Sequence, residues 1–165
     1  MKKLRNNHGF TLIELIIVIA IIALLAAATF VAVDPAKRVG EARDAQRWAD
    51  ITAIADAYMT YLVDNAGTTA TTSAFNSGVT YWIAAAAYNA GGVETAPSCT
   101  ATTVSAALDL HALVTAGYIG DIPDDPSGVS NDGTRYWFYK TTAGTVKVGA
   151  CEKYTGATNY PTVVR

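Results

Sequence analysis

The sequence predicts an α+β protein in which a long N-terminal helix packs against a small antiparallel β-sheet domain. Three observations predict this fold class. An almost wholly apolar run extends from Leu12 to Val33, an amphipathic pattern of helical period continues to Leu62, and two segments near the C-terminus are rich in aromatic and β-branched residues. We expect the first half of the helix to be apolar all round and the second half to present one face to the domain.

The apolar run is long enough to be a membrane-spanning helix. Its 22 residues can cross a hydrocarbon core of about 30 Å. Lys2, Lys3 and Arg5 precede the run, and the next basic residue is Lys37, so the positive-inside rule predicts a cytoplasmic N-terminus and an exported polar domain. The net charge is −2, and removing the basic leader makes the exported part more acidic still, which argues against nucleic acid as a partner.

The Asp34-Pro35 step follows the apolar run directly. Proline lacks an N–H and disfavours helix in the residue before it, but Asp then Pro is also a good N-cap and N1 pair. The sequence therefore leaves two possibilities, one kinked helix or a second helix that begins here.

The next segment predicts an amphipathic helix that ends at the turn of residues 65–67. Its apolar stripe consists of Trp48, Ile51, Ala55, Tyr58 and Leu62, widened by Ile54 and Tyr61. Arg43, Arg47 and Asp50, with Asp44 near them, are expected on the solvent side.

The C-terminal part predicts short elements joined by turns. Residues 79–83 can form a short strand, Ser105 can cap a helix that runs to Ala116 and stops at Gly117, and residues 135–141 and 145–151 read as a strand pair. The tail after residue 151 can add an edge strand. Alternation within the aromatic run of residues 136–139 places half of its side chains in the core, against the long helix.

The two cysteines, Cys99 and Cys151, both lie in the part predicted to be exported. Outside the cytoplasm a disulfide is expected rather than two separate thiols, a redox motif or a metal site, because the spacing is far from Cys-x-x-Cys.

Three interpretations compete for the N-terminus. An uncleaved anchor explains the length and the flanking charge. A conventional secretory signal is supported by the small residues 26–28, where cleavage would release a soluble protein that begins near Thr29. Neither explains Glu14, a carboxylate at the start of an apolar helix, where a charge is costly and is expected to have a partner.

The third interpretation uses every one of these features. Residues Gly9 to Glu14, read Gly-Phe-Thr-Leu-Ile-Glu after a short basic leader, resemble the class III leader of type IV pilins and type II secretion pseudopilins. The resemblance implies cleavage between Gly9 and Phe10 and N-methylation of Phe10. It also implies that Glu14 neutralises the new amine of a neighbouring subunit. The implied organisation is a leader at 1–9, a transmembrane and polymerisation segment at 10–33, its amphipathic continuation at 34–66 and a globular extracytoplasmic pilin-like domain at 67–165.

The implied function is that of a structural filament subunit and not of an enzyme, with no cofactor. Its expected partners are further copies of itself, the prepilin peptidase and methyltransferase, the membrane, and the inner-membrane platform of a pilus or secretion system. The subunit would wait in the cytoplasmic membrane and then enter an extracellular filament or a periplasmic pseudopilus.

Two features bear on the choice between pilin and pseudopilin. The Cys99–Cys151 pair is more similar to pilins, which implies a pilus used in adhesion, motility or DNA uptake. Residues 113–126, in which a Gly-Tyr step leads into a Pro-Asp-Asp-Pro turn, are similar to major pseudopilins. A soluble secreted protein stays as the alternative outside the family.

Few residues suggest other chemistry. Four aspartates form a weak candidate set of calcium ligands, although aspartate beside proline and glycine is ordinary turn chemistry; they are Asp121, Asp124, Asp125 and Asp132. His111 is the one histidine outside the leader, and we expect it to be a packed or surface residue rather than a catalytic base.

Overall fold

The computed structural model describes residues 9–70, 76–84, 99, 102, 106–128 and 133–165. Three helices and five strands occur in these residues, and they confirm the α+β class. They are α1 (Leu12–Val33), α2 (Pro35–Asp64), β1 (Thr80–Ala84), β2 (Ala106–Leu108), α3 (His111–Thr115), β3 (Gly133–Lys140), β4 (Val146–Ala150) and β5 (Thr162–Val164). The chain divides into two compact units between Val39 and Gly40.

Helix α1 is the apolar run, and within the described residues nothing buries it. Its most apolar window has a mean hydropathy of 3.1, so it is long and apolar enough to cross a membrane. The helix ends at Asp34, which adopts the left-handed conformation with φ 45°. The Asp34 carboxylate then accepts a hydrogen bond from the backbone N–H of Lys37 at 3.3 Å. Asp34 is therefore the N-cap of a second helix that begins at Pro35, which settles the alternative left open by the sequence.

Helix α2 packs against the sheet through a stripe that differs from the predicted one at its N-terminal end. Ile51, Ile54 and Tyr58 are fully buried, as expected. Arg47, expected in solvent, is only 3 % exposed, and Trp48, expected in the core, is 46 % exposed. The prediction is wrong for both because it assumed that a guanidinium stays in water. This guanidinium has carboxylate partners within the fold. The buried stripe therefore includes position 47 in place of position 48.

The sheet has the strand order β2-β1-β3-β4-β5 and is mixed rather than wholly antiparallel. β1 pairs with β2 in parallel, and the remaining neighbours are antiparallel. The expectation of a purely antiparallel sheet is therefore corrected. A parallel pair needs a long connection, and residues 85–105 provide one, whereas hairpin turns join only antiparallel strands.

The predicted helix before Gly117 is shorter than expected. Ala106–Leu108 pairs with Tyr81–Ile83 as strand β2, and only His111–Thr115 is helical. Pairing with β1 overrides the local helical pattern, because the strand places Leu108 fully in the core. Gly117 ends the helix with φ 80°, as predicted, and Ser105 lies outside the described residues.

The inner face of the sheet meets α2 and forms the core. Tyr136, Phe138, Val146 and Val148 are fully buried, and the Tyr58 ring contacts the Phe138 ring edge-on at 4.8 Å. Alternation in β3 is therefore confirmed. We call the opposite side of β3 and β4 the outer face, which carries Trp137, Tyr139, Lys147 and Gly149.

On the outer face, the Trp137 ring lies on Gly149, where an added Cβ would collide with the indole. The tail adds β5 at the edge, paired with β4, as expected.

The C-terminus of α2 ends in a tight turn. The Gly67 N–H donates to the Leu62 carbonyl at 2.7 Å, and both Ala66 and Gly67 have positive φ, 52° and 83°. This closure satisfies a carbonyl that the helix leaves without a partner. Alanine is strained at φ 52°, since its Cβ disfavours the left-handed region.

Candidate processing and assembly site

The Gly9–Phe10 peptide bond lies in exposed, non-helical backbone just before α1. Thr11 is the N-cap, in extended conformation with ψ 154°, and Phe10 is 92 % exposed. A Cβ added to Gly9 would have nothing within 4 Å. The fold therefore does not require glycine at position 9. The Gly9–Phe10 peptide bond is sterically accessible to a second protein.

Glu14 lies in the first turn of α1 and forms a capping box with Thr11. One carboxylate oxygen, Oε2, accepts from the Thr11 N–H at 2.8 Å and from the Thr11 hydroxyl at 2.7 Å. In return the Glu14 N–H donates to Thr11 Oγ1 at 3.3 Å. Together these bonds satisfy backbone donors that a helix start leaves open, and the negative charge sits at the favourable end of the helix dipole.

Thr11 is the site residue that the sequence reasoning missed. The signal was present, since a Thr followed three residues later by Glu before an apolar run is the capping-box pattern. Glu14 therefore has a hydrogen-bonding partner in its own chain before any cleavage. Its pairing with the amine of a neighbour stays a prediction.

The N-terminal sequence matches a known family signature, the prokaryotic N-terminal methylation motif, at residues 4–30. The chain carries the class III leader of type IV pilins and pseudopilins. The match covers residues 4–9 of the leader and most of α1, and it marks a pilin-like precursor of a generally non-enzymatic, structural kind. No curated protein and no solved structure matches the chain.

The two cysteines of the pilin-like precursor are joined in a disulfide. Cys99 and Cys151 are 52 residues apart in sequence, and Cys151 is only 4 % exposed. The Cys151 N–H also donates to the Arg135 carbonyl at 2.9 Å, so the end of β4 is held from two sides.

The aspartates that the sequence offered as weak calcium ligands have separate roles. Asp125 pairs with Arg47 and also accepts from the Ser127 N–H, whereas Asp121 accepts from the Ile122 N–H at 2.9 Å and Asp124 is exposed. Asp132 lies outside the described residues. Among the described residues, no group of three or more His, Cys, Asp or Glu side chains could hold a metal ion.

A buried ion pair fastens α2 to the loop between α3 and β3. Arg47 Nε donates to Asp125 Oδ2 at 2.6 Å and Nη2 donates to Oδ1 at 2.9 Å, a bidentate arrangement. The remaining Nη1 donates to Asp44 at 2.7 Å, and Nη2 also donates to the Ser127 hydroxyl at 2.6 Å. The Asp44 carboxylate in turn accepts from the Tyr154 N–H at 3.0 Å, which brings the loop after β4 to the same place.

The electrostatics of this cluster follow from burial and pairing. Burial by itself raises the pKa of Asp125, but the hydrogen bonds from Arg47 and Ser127 outweigh it, so the net pKa is lowered. Burial raises the pKa of Asp50 despite a hydrogen bond from the Tyr136 hydroxyl at 2.7 Å. The cluster therefore holds a full charge pair inside the protein and is structural rather than catalytic in its geometry.

His111 shows no catalytic arrangement in the described part of the chain. Its backbone N–H donates to Asp109 Oδ1 at 2.8 Å, and its ring Nδ1 is buried without a hydrogen-bonding partner there.

Proposed function

We propose that the chain is a prepilin-like subunit that is cleaved between Gly9 and Phe10, methylated on Phe10, and polymerised through α1 into a type IV pilus-like filament. The observation that supports this most is the position of an uncovered apolar helix of 22 residues directly after a class III leader. The subunit inserts with its N-terminus in the cytoplasm, and the unit that begins at Gly40 lies outside.

Two environments can cover the apolar surface of α1. Lipid covers it in the monomer, because a 22-residue apolar helix matches the hydrocarbon thickness. Other copies of α1 cover it in a filament, where helices associate by close packing rather than by escape from water. Contacts between different surfaces of identical subunits do not close on themselves and therefore generate an open helical polymer.

Processing is tested by expressing the chain with a prepilin peptidase and measuring the N-terminus of the product. We expect a mature protein that begins with N-methyl-Phe10. Gly9→Leu should abolish cleavage while the fold is unchanged, since the structure has open space at this position. A mature protein that begins near Thr29 would show instead that the segment is a conventional secretory signal.

The assembly role of Glu14 is separated from its capping role by two substitutions. Glu14→Gln retains a side chain that fits a capping box, whereas Glu14→Ala removes both the cap and the charge. If the charge pairs with the amine of a neighbouring subunit, both variants are cleaved normally but yield few or no filaments. Normal filament yield from Glu14→Gln would show that the glutamate serves only the helix start.

A type II secretion pseudopilus is the second candidate, favoured by the Gly-Tyr step at Gly117 and the turn that follows it. The disulfide between Cys99 and Cys151 favours the pilus. Electron microscopy and a secretion assay distinguish the two. Long surface fibres that contain this chain support the pilus. The pseudopilus is supported if cells show no such fibres and if protein secretion is normal with the chain but lost without it.

A further inference from the structure

The charged residues of the chain are strongly segregated along the sequence. Between Trp48 and Thr134 lie nine of the 14 acidic residues and none of the 12 basic ones. From Arg135 to the C-terminus there are five basic residues and a single acidic one, Glu152. This arrangement is much more uneven than the overall net charge of −2 suggests.

The fold places the unpaired charges of the two segments on different parts of the domain. The basic segment forms β3, β4 and β5, which are consecutive neighbours at one end of the strand order β2-β1-β3-β4-β5. The acidic segment carries its carboxylates on α2 and in loops rather than on β1 or β2, and the acidic loop after α3 meets the start of β3, where the Asp125 N–H donates to the Thr134 carbonyl at 3.1 Å. Lys147 pairs in the ladder with Tyr139, near the other end of β3.

The basic segment presents a half-buried cation, Lys147, that has no ion-pair partner among the described residues. Lys147 lies on the outer face of β4, opposite Tyr139 in the ladder, and its Nζ is 6.0 Å from the centre of the Tyr139 ring. In the described part of the chain, Lys147 makes no ion pair, whereas Arg135 is paired with Glu152 at 3.6 Å and Arg165 with Asp56 at 2.6 Å.

The acidic loop after α3 presents carboxylates in the same situation. Asp121 and Asp124 are exposed, and neither has an ion-pair partner among the described residues. Partial desolvation and then the nearby Asp121 raise the pKa of Asp124. Asp125 differs from both, because Arg47 neutralises it within the fold.

We propose that the outer face around Lys147 of one subunit binds the acidic loop at Asp121 and Asp124 of another copy of the chain. The inference rests on the proposed filament and adds a contact between globular domains to the packing of α1. Charge complementarity identifies the occupant, since the same chain supplies a cation at Lys147 and carboxylates at Asp121 and Asp124, on different surfaces. The contact joins two different surfaces, so it propagates from subunit to subunit in the way that a helical polymer requires.

A second copy fits this face better than a nucleic acid does. A strand of phosphates needs a run of uncompensated cations, but Arg135 and Arg165 are already paired with carboxylates. An acidic loop needs only one or two cations beside an aromatic surface, which Lys147 and Tyr139 provide.

Charge reversal in full-length, cleavable protein tests the contact. The variants are Lys147→Glu, Asp124→Lys and the double variant that carries both, with Lys147→Arg as the matched control. Filaments sheared from cells are quantified against the processed subunit in the membrane. We expect each single reversal to lower the yield at least tenfold, the control to assemble like wild type, and the double variant to recover most of the yield because the charges are exchanged and not lost.

The outcomes separate this contact from the filament itself. Formation of the Cys99–Cys151 disulfide and normal processing in every variant show that the domain has folded. If wild-type protein forms no filaments, the proposed function fails. If wild type assembles but both single reversals also assemble normally, or if the double variant is as defective as the single ones, the contact between Lys147 and the acidic loop is refuted.

Discussion

Replacement of Arg47 by methionine should destabilise the domain severely, because it leaves a carboxylate buried without its cation. Methionine preserves most of the volume and the unbranched shape of the arginine stem. The Asp125 side chain is 0 % exposed and would keep only the Ser127 N–H, which donates at 2.8 Å. Breaking a buried pair from one side costs about 3–5 kcal/mol in free energy of unfolding, and we expect a loss in this range.

A second substitution tests the physical reason for that loss. In the double variant Arg47→Met with Asp125→Asn, the amide oxygen can still accept from the Ser127 N–H, but no charge is buried. We expect it to be more stable than Arg47→Met alone by at least about 1 kcal/mol, because the penalty belongs to the uncompensated carboxylate. Asp44→Ala should cost less than Arg47→Met, about 1–3 kcal/mol, since the Arg47–Asp125 pair survives.

The dependence on pH follows from the lowered pKa of Asp125. Because its pKa in the folded protein lies below the unfolded value of about 3.9, the pair stabilises the fold fully above that value. The stabilisation is lost as the pH falls through the folded pKa. In Arg47→Met, burial without the cation raises the pKa of the same carboxyl above the unfolded value. The difference in stability between wild type and Arg47→Met should therefore shrink as the pH falls from the raised pKa of the variant towards the lowered pKa of wild type.

Urea unfolding of the full-length protein in detergent measures these quantities. All three tryptophans lie after Gly40, so near-ultraviolet circular dichroism reports on the second compact unit and not on α1. A loss below about 1 kcal/mol for Arg47→Met, with no gain from Asp125→Asn, would refute the reasoning, because it would mean that water solvates Asp125 in the folded state.

Three further variants follow from the geometry. Ala66→Gly should raise the free energy of unfolding by about 0.4–1 kcal/mol, since glycine relieves the positive φ; an unchanged urea midpoint would contradict this. Gly149→Ala should displace the Trp137 ring and cost about 1–3 kcal/mol, seen as a shifted tryptophan emission, whereas unchanged emission would show that the indole does not lie on this strand. Serine at both Cys99 and Cys151 should cost up to about 4 kcal/mol through the lost loop constraint, and a midpoint equal to that of wild type would mean the bridge constrains nothing.

Composition alone was sufficient to predict α1, because an unbroken apolar run of membrane-spanning length has few other solutions. Composition also predicts β3 and β4. Both segments are dense in aromatic and β-branched residues, and a turn that contains glycine joins them. These elements depend on local sequence, so the local pattern of residues predicts them.

The features that the sequence did not reveal depend on distant residues. Arg47 is buried because it pairs with Asp125, which lies 78 positions away in sequence. Without knowledge of that carboxylate, an arginine on a helix is expected to be exposed to solvent. Strand β2 forms because Ala106–Leu108 pairs with the edge of β1. The composition of this short segment does not predict that pairing. The capping box differs from both, because the spacing of Thr11 and Glu14 before an apolar run is a local signal that is sufficient to predict it.

The capping box changes what the proposed assembly has to accomplish. The Thr11 N–H and hydroxyl already donate to the Glu14 carboxylate, so in the proposed filament a neighbouring amine would replace existing hydrogen bonds rather than meet an unpartnered charge. The free energy gained by that exchange would be the difference between two partnered states, which is smaller than the strength of either. A subunit that leaves the proposed filament would regain its own cap.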